Sequence, residues 1–184
     1  MGNGTNRDPN DDIARKTLGQ LVDPLEFIAR DHRAERVVCD HLDRLAAGDK
    51  LRRADIESAL RFLRDDLPHH LDDEELDLFP VLRRRCEADD EIDKAIARLT
   101  SDHAHAAVDT PTVIAVLDGQ LRKKRPLSDT ECHSLSAYAA HARRHLTLEN
   151  AVVLPLARLR LSKKDQTQMA ARMAQRRGLG SNQE

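Results

Sequence analysis

The sequence predicts an all-α fold: an up-down-up-down four-helix bundle with short extra helices at the N- and C-terminal ends. Three observations carry that expectation. The 184 residues include no Trp, 1 Tyr, 3 Phe, 7 Gly and 7 Pro, a composition rich in helix formers and poor in strand formers. Apolar residues recur at spacings of three and four along four long segments. The connections between those segments are short, as antiparallel neighbours in a bundle require.

Residues 1–10 are polar and expected to be disordered, followed by a short helix over about residues 11–20. Asp23-Pro24-Leu25-Glu26 opens the first long helix, with Asp at the cap, Pro at the first position and Glu closing a capping box. Gly48 stops it, after about Ala47. A second helix covers about residues 53–78; Pro68 is expected to kink it or shift its ladder, and Pro80 to mark its end. A third begins after Asp89-Asp90 and runs towards Arg122, with a kink expected at Pro111. Ser128-Asp129-Thr130-Glu131 is a second capping box and opens a fourth helix that reaches about Leu154. Ser162 caps a last amphipathic helix ending near Gly178. The chain therefore divides into a polar segment (1–22), the bundle (23–157) and a basic amphipathic helix with its tail (158–184).

Charge excludes some functions. Charged residues make up 34% of the chain but the net charge is only -2, so the basic excess of a nucleic-acid binder is absent. No run of 18 apolar residues exists, which argues against a membrane span. The start, MGNGTNRDPNDD, lacks the apolar stretch of a secretory signal. Three scattered cysteines, Cys39, Cys86 and Cys132, suit a reducing compartment, so a cytoplasmic location is expected. Nine histidines against one tyrosine stand out.

Four of those histidines fall on the stripes expected to be buried, one on each. The stripes read Leu25, Ile28, His32, Glu35, Cys39, Leu42; then Leu60, Leu63, Leu67, His70, Glu74, Leu78; then Ile92, Ile96, Leu99, His103, Ala106 or Ala107, Thr110; and last Leu135, Tyr138, His145, Glu149, Val152, Leu156. Each is apolar at both ends and polar in the middle. A carboxylate in an apolar core is costly unless paired. Either a hydrogen-bonded polar network or a bound cation satisfies such a layer, and imidazole with carboxylate suits a first-row transition metal.

An internal repeat sharpens the reading. His70 to Pro80 and His145 to Pro155 share the pattern His-x3-Glu-x5-Pro. Residues four apart share a helix face, so each His and its Glu reach one site. Asp31-His32 and Asp102-His103 precede them on the upstream helices. The chain thus reads as two helical hairpins, each giving one His from its first helix and His-x3-Glu from its second. Two metals would sit side by side, each with two imidazoles, and Glu74 and Glu149 free to bridge. Open coordination positions remain for a small ligand.

These motifs resemble the hemerythrin-like (HHE) cation-binding family over about residues 24–156. The resemblance implies a non-haem centre of two iron ions with an oxo or hydroxo bridge. Carried over by position, His32 and His70 serve one iron, His103 and His145 the other, and Glu74 and Glu149 bridge. Oxygen carriers of the family have His-x3-His on the third helix, where this chain has Ala107. His105 points about 200° around the helix and is a poor substitute. The carriers also have His-x4-Asp on the fourth helix, where Asn150 stands in the Asp position. The pattern is closer to bacterial relatives linked to iron-cluster repair, nitric oxide or peroxide chemistry. The implied function is binding or reduction of a small oxidant (dioxygen, peroxide or nitric oxide), with an unknown redox partner and oligomeric state; the alternative is an iron sensor, store or donor whose occupancy controls partner binding.

Around the six, Glu35 shares the His32 stripe and could be an extra ligand, but a salt link with an Arg at the bundle edge is expected. His141, one turn before His145, could be an outer donor or an alternative ligand. Tyr138 could line a gas channel, but is expected to fill core. His41, His69 and His133 read as surface residues, the run Asp72–Glu75 mostly as a solvated face, and the basic tail helix as packing on the bundle.

Overall fold

A computed structural model describes residues 23–123 and 125–179. The short helix expected over residues 11–20 lies outside the described residues. Five long helices make up the fold of the described residues. α1 is Pro24–Ala46. α2 (residues 53–85) is built of Arg53–Arg61, Leu67–Asp73 and Phe79–Arg85 with π turns at Phe62–Asp66 and Glu74–Leu78 between them. α3 is Ile92–Lys123. α4 (residues 129–160) is built of Asp129–Leu148 and Leu154–Arg160 around a π turn at Glu149–Val153. α5 is Lys163–Arg176. α1 packs on α2 and α4, and α3 packs on the same two, the neighbour relations of an up-down-up-down bundle.

The helix starts follow from their caps. Asp23 accepts from the Leu25 and Glu26 amides, both at 3.0 Å. Glu26 itself reaches forward to Arg33 at 2.7 Å instead of back to the cap. Ser128 with Glu131 and Ser162 with Asp165 form complete capping boxes. Gly48, at φ 89°, takes the left-handed conformation that ends α1.

Two expected helix ends are corrected. α2 does not stop at Pro80 nor α4 at Leu154; they continue to Arg85 and Arg160. Just before each proline the ladder slips to a five-residue spacing: Phe79 N–H donates to the Glu74 carbonyl, and Leu154 N–H to the Glu149 carbonyl. Pro68 follows a third such turn, in which Leu67 N–H donates to Phe62. Each proline thereby falls in the first turn of a fresh α-segment, where a missing N–H costs nothing. α3, in contrast, runs through Pro111 as a single α-helix. The slip also moves the apolar stripe of α4 by one residue. Val153 and Ala157 are fully buried, in place of the expected Val152 and Leu156.

The core is split in two. One apolar cluster joins Ile28, Leu78, Phe79, Leu82, Ile96, Leu99 and Val153, together with Met169 and Met173 of α5. The other joins Cys39, Leu42, Leu60, Leu63, Leu117, Leu135 and Tyr138. Along every bundle helix the sequence between the two clusters is where its histidine sits.

Candidate metal centre

The polar layer between the clusters is drawn from all four bundle helices. His32 comes from α1, His70 and Glu74 from α2, His103 from α3, and His145 and Glu149 from α4. None is more than 6% exposed. Each His–Glu pair is four residues apart on one helix, which puts ring and carboxylate on the same inward face. Glu74 and Glu149 are each also the first residue of a π turn.

All four imidazoles present Nε2 to the two carboxylates. His32 Nε2 is 3.3 Å from Glu74 Oε1 and 3.2 Å from Glu149 Oε2. His70 Nε2 is 3.7 Å from Glu74 Oε1, and His103 Nε2 is 3.4 Å from Glu74 Oε2. His145 Nε2 is 3.1 Å from Glu149 Oε2. Glu74 therefore turns one oxygen towards His32 and His70 and the other towards His103. The six side chains form two overlapping sets, His32, His70, Glu74, Glu149 and Glu74, His103, His145, Glu149; within each, ligand atoms lie within 4.8 Å of one another.

This closeness does not satisfy the layer. His70 Nε2, Glu74 Oε2, His103 Nε2, His145 Nε2 and both Glu149 oxygens are buried without a hydrogen bond, because the approaches are close but poorly directed. Two buried carboxylates facing ring nitrogens at these distances are costly in a closed apolar interior. A cation removes that cost by turning the same lone pairs into ligands, and the mixed nitrogen and oxygen set suits a first-row transition metal. The residues present fit such an ion.

Charge also couples the layer. Burial pushes the Glu74 carboxyl up, but His70, His103 and His32 outweigh it and hold it well below the usual range. Burial and the charge of Glu74 push Glu149 up, and its contacts with His145 and His32 bring it below its ordinary value. Burial pushes His32 down, yet its contacts with Glu149 and Glu74 lift it to about 10. His145, opposed by burial in the same way, rises to about 9 through Glu149. Without metal, imidazolium is thus the counter-ion of the carboxylates. The raised histidines give metal-free protein stability that is complete below their ordinary 6.5 and lost as pH climbs through about 9 to 10. The lowered glutamates give stability present above their ordinary 4.5 and lost as pH falls. The thermal midpoint of chelator-treated protein is therefore expected to peak between about pH 4.5 and 6.5 and to fall on both sides. A flat midpoint from pH 6 to pH 10 would contradict this electrostatic account.

Residues beyond the six complete the surroundings. Glu75, expected on a solvated face, bonds His103 Nδ1 at 2.7 Å and fixes that ring's orientation. Asp102 stands 3.7 Å from His145 Nδ1 and 3.6 Å from His141 Nε2. Glu35 is a correction: it is buried, and no salt link to an Arg is found among the described residues. Burial pushes its carboxyl up, against the pull of His70 and His145. Tyr138 donates to or accepts from Thr110 at 3.2 Å. His105 is exposed and turned to the Ser101 carbonyl, away from the layer. His133 is exposed as expected, whereas His41 and His69 are half-buried. The duplicated spacing singled out His70, Glu74, His145 and Glu149, and the buried stripes His32 and His103. Glu75 and Asp102 adjoin two of them in sequence, which is the signal that was there to read.

A cavity of about 20 Å³ opens beside the layer, lined by His103 and His145 with Glu35, Tyr138, Ala106 and Leu67. A larger cleft of about 670 Å³ lies at the end of the bundle, between Leu45, Leu51, Ile56, Leu121 and Leu127, and touches none of the six.

The family model described as Hemerythrin HHE cation binding domain matches residues 23–157. No curated protein matches the chain.

Proposed function

The chain belongs to the hemerythrin HHE cation-binding family, and from that premise we propose that it is a non-haem di-iron protein that binds or reduces a small oxidant. Dioxygen, peroxide and nitric oxide are the candidate class. Bound iron supplies Lewis acidity and exchangeable electrons. His32 and His70 hold one ion, His103 and His145 the other, and Glu74 and Glu149 are shared. Glu74 supports the shared role by turning one oxygen to each half of the layer.

The observation that carries the oxidant reading is the size of the adjoining cavity. At about 20 Å³ it takes one water-sized or diatomic molecule and no organic substrate. The chain's own residues do the rest. Glu75 steadies the His103 ring from outside through its hydrogen bond to Nδ1, and Asp102 places a carboxylate 3.7 Å from His145 Nδ1. The two apolar clusters keep bulk water from the layer. Glu35, more readily protonated for being buried, stands at the cavity wall.

Protein purified in air is expected to carry two irons per chain and to show the near-ultraviolet bands of an oxo-bridged pair. Those bands should change on adding peroxide, or nitric oxide after reduction. Full occupancy by zinc, with no response to either, would sink the proposal.

A further inference from the structure

Two acids of α2 that face away from the polar layer have no part in the account so far. Asp73 and Asp77 flank Glu74, are 0% and 1% exposed, and would normally demand partners. Among the described residues every side-chain partner they have comes from the C-terminal end of α5 or just beyond it. Arg176 Nη2 donates to Asp73 at 2.8 Å and also to Asp77. Arg172 donates to Asp77, and Arg177 Nη1 to Asp73 at 3.1 Å. Arg177 also lies over the Phe27 ring of α1, 4.6 Å from its centroid, so the same residue ties α1 to α2. Met169 and Met173 seat α5 in the core. The segment so held, Glu74–Leu78, is the π turn that presents Glu74. A π turn is a rare geometry, and α5 packs directly against this one.

We propose that α5 clamps the Glu74 turn in the register the metal centre needs, with Arg176 as the positioning residue. The proposal rests on the metal-binding reading above. It has a reciprocal consequence: if docking of α5 strengthens metal binding by some factor, metal binding strengthens docking of α5 by the same factor. Loss of metal then loosens α5 and uncovers Asp73, Asp77 and the two methionines, so the tail reports occupancy of the centre.

The test uses the full chain and two variants. Arg176→Gln breaks the clamp beside Glu74. Arg85→Gln breaks a different anchor of the same helix, the pair Arg85–Asp165, whose Nε–Oδ2 distance is 2.9 Å, at the start of α5. Backbone hydrogen exchange is measured without metal. Iron(II) affinity is measured anaerobically against a chromophoric chelator. Arg176→Gln is expected to speed exchange of the amides of residues 74–78 by about tenfold and to weaken iron binding by about tenfold, the low end of the cost of losing a ligand's own outer partner, since Arg176 acts on Glu74 through Asp73 and Asp77. Arg85→Gln should alter both by less than about threefold, even where it lowers the melting temperature equally. Iron should slow exchange along α5 in the wild type. Should Arg176→Gln fail to fold, Asp77→Asn with Arg176→Gln removes both charges and asks the same question. Unchanged exchange and affinity in the Arg176 variant overturns the clamp, as does an equal loss in both variants. A wild type that binds no iron defeats the reading of the centre and the reciprocal half of this proposal, while the exchange data still decide whether the turn is clamped.

Discussion

Glu74→Ala is expected to empty both halves of the centre, whereas His70→Ala is expected to empty one. Glu74 belongs to both ligand sets, with Oε1 near His32 and His70 and Oε2 near His103. His70 belongs to only one. Outer partners of metal ligands are worth about 10–100-fold in affinity, so loss of a shared ligand is expected to cost roughly a hundredfold or more. Metal analysis after gel filtration should find close to no iron on Glu74→Ala and about one per chain on His70→Ala, against about two on the wild type. The helices should still form, but at a lower melting temperature, because the imidazoles facing Glu74 lose a counter-ion. Circular dichroism that matches the wild type, with iron absent, is the expected pair of results. Glu74→Ala that keeps both ions would show that the carboxylate is not shared.

Chelation is expected to lower the melting temperature by about 8–16 °C at neutral pH. The estimate assumes free metal at a thousand times its dissociation constant, worth about 4 kcal/mol for one ion, and about 2–4 °C per kcal/mol for a chain of this size. The large effect follows from where the layer sits. It separates the two apolar clusters, so every bundle helix crosses it. Scanning calorimetry of metal-loaded and chelator-treated protein measures the difference. A shift below about 3 °C would mean that metal binds the folded and unfolded chain alike.

Much of this architecture was legible because the signals are local. The caps at Asp23, Ser128 and Ser162 each sit within four residues of what they fix. Four side chains of the layer stood out through a spacing that occurs twice, His32 and His103 through their place on the buried stripes, and the structure brings all six together. What stayed hidden is of two kinds. The prolines of the repeat were read as helix ends, yet the ladder slips ahead of each and carries the helix on. A slip of one hydrogen bond leaves no mark on hydrophobic periodicity until the stripe resumes a residue late, at Val153. The second kind depends on distant partners. Nothing in the run Asp72 to Glu75 separates the exposed Asp72 from the buried Asp73, because the arginines that neutralise Asp73 lie about a hundred residues further on, at Arg176 and Arg177. Glu35 shows the converse: its helix phase was right, but among the described residues no arginine pairs with it, and it lines the cavity instead.

Anomalous diffraction from crystals of the iron-loaded protein, collected on both sides of the iron edge, decides whether the layer holds two ions. Two peaks are expected between the four helices, one beside His32 and His70 and the other beside His103 and His145, with Glu74 and Glu149 touching both. A single peak, or peaks confined to surface carboxylates, would contradict it.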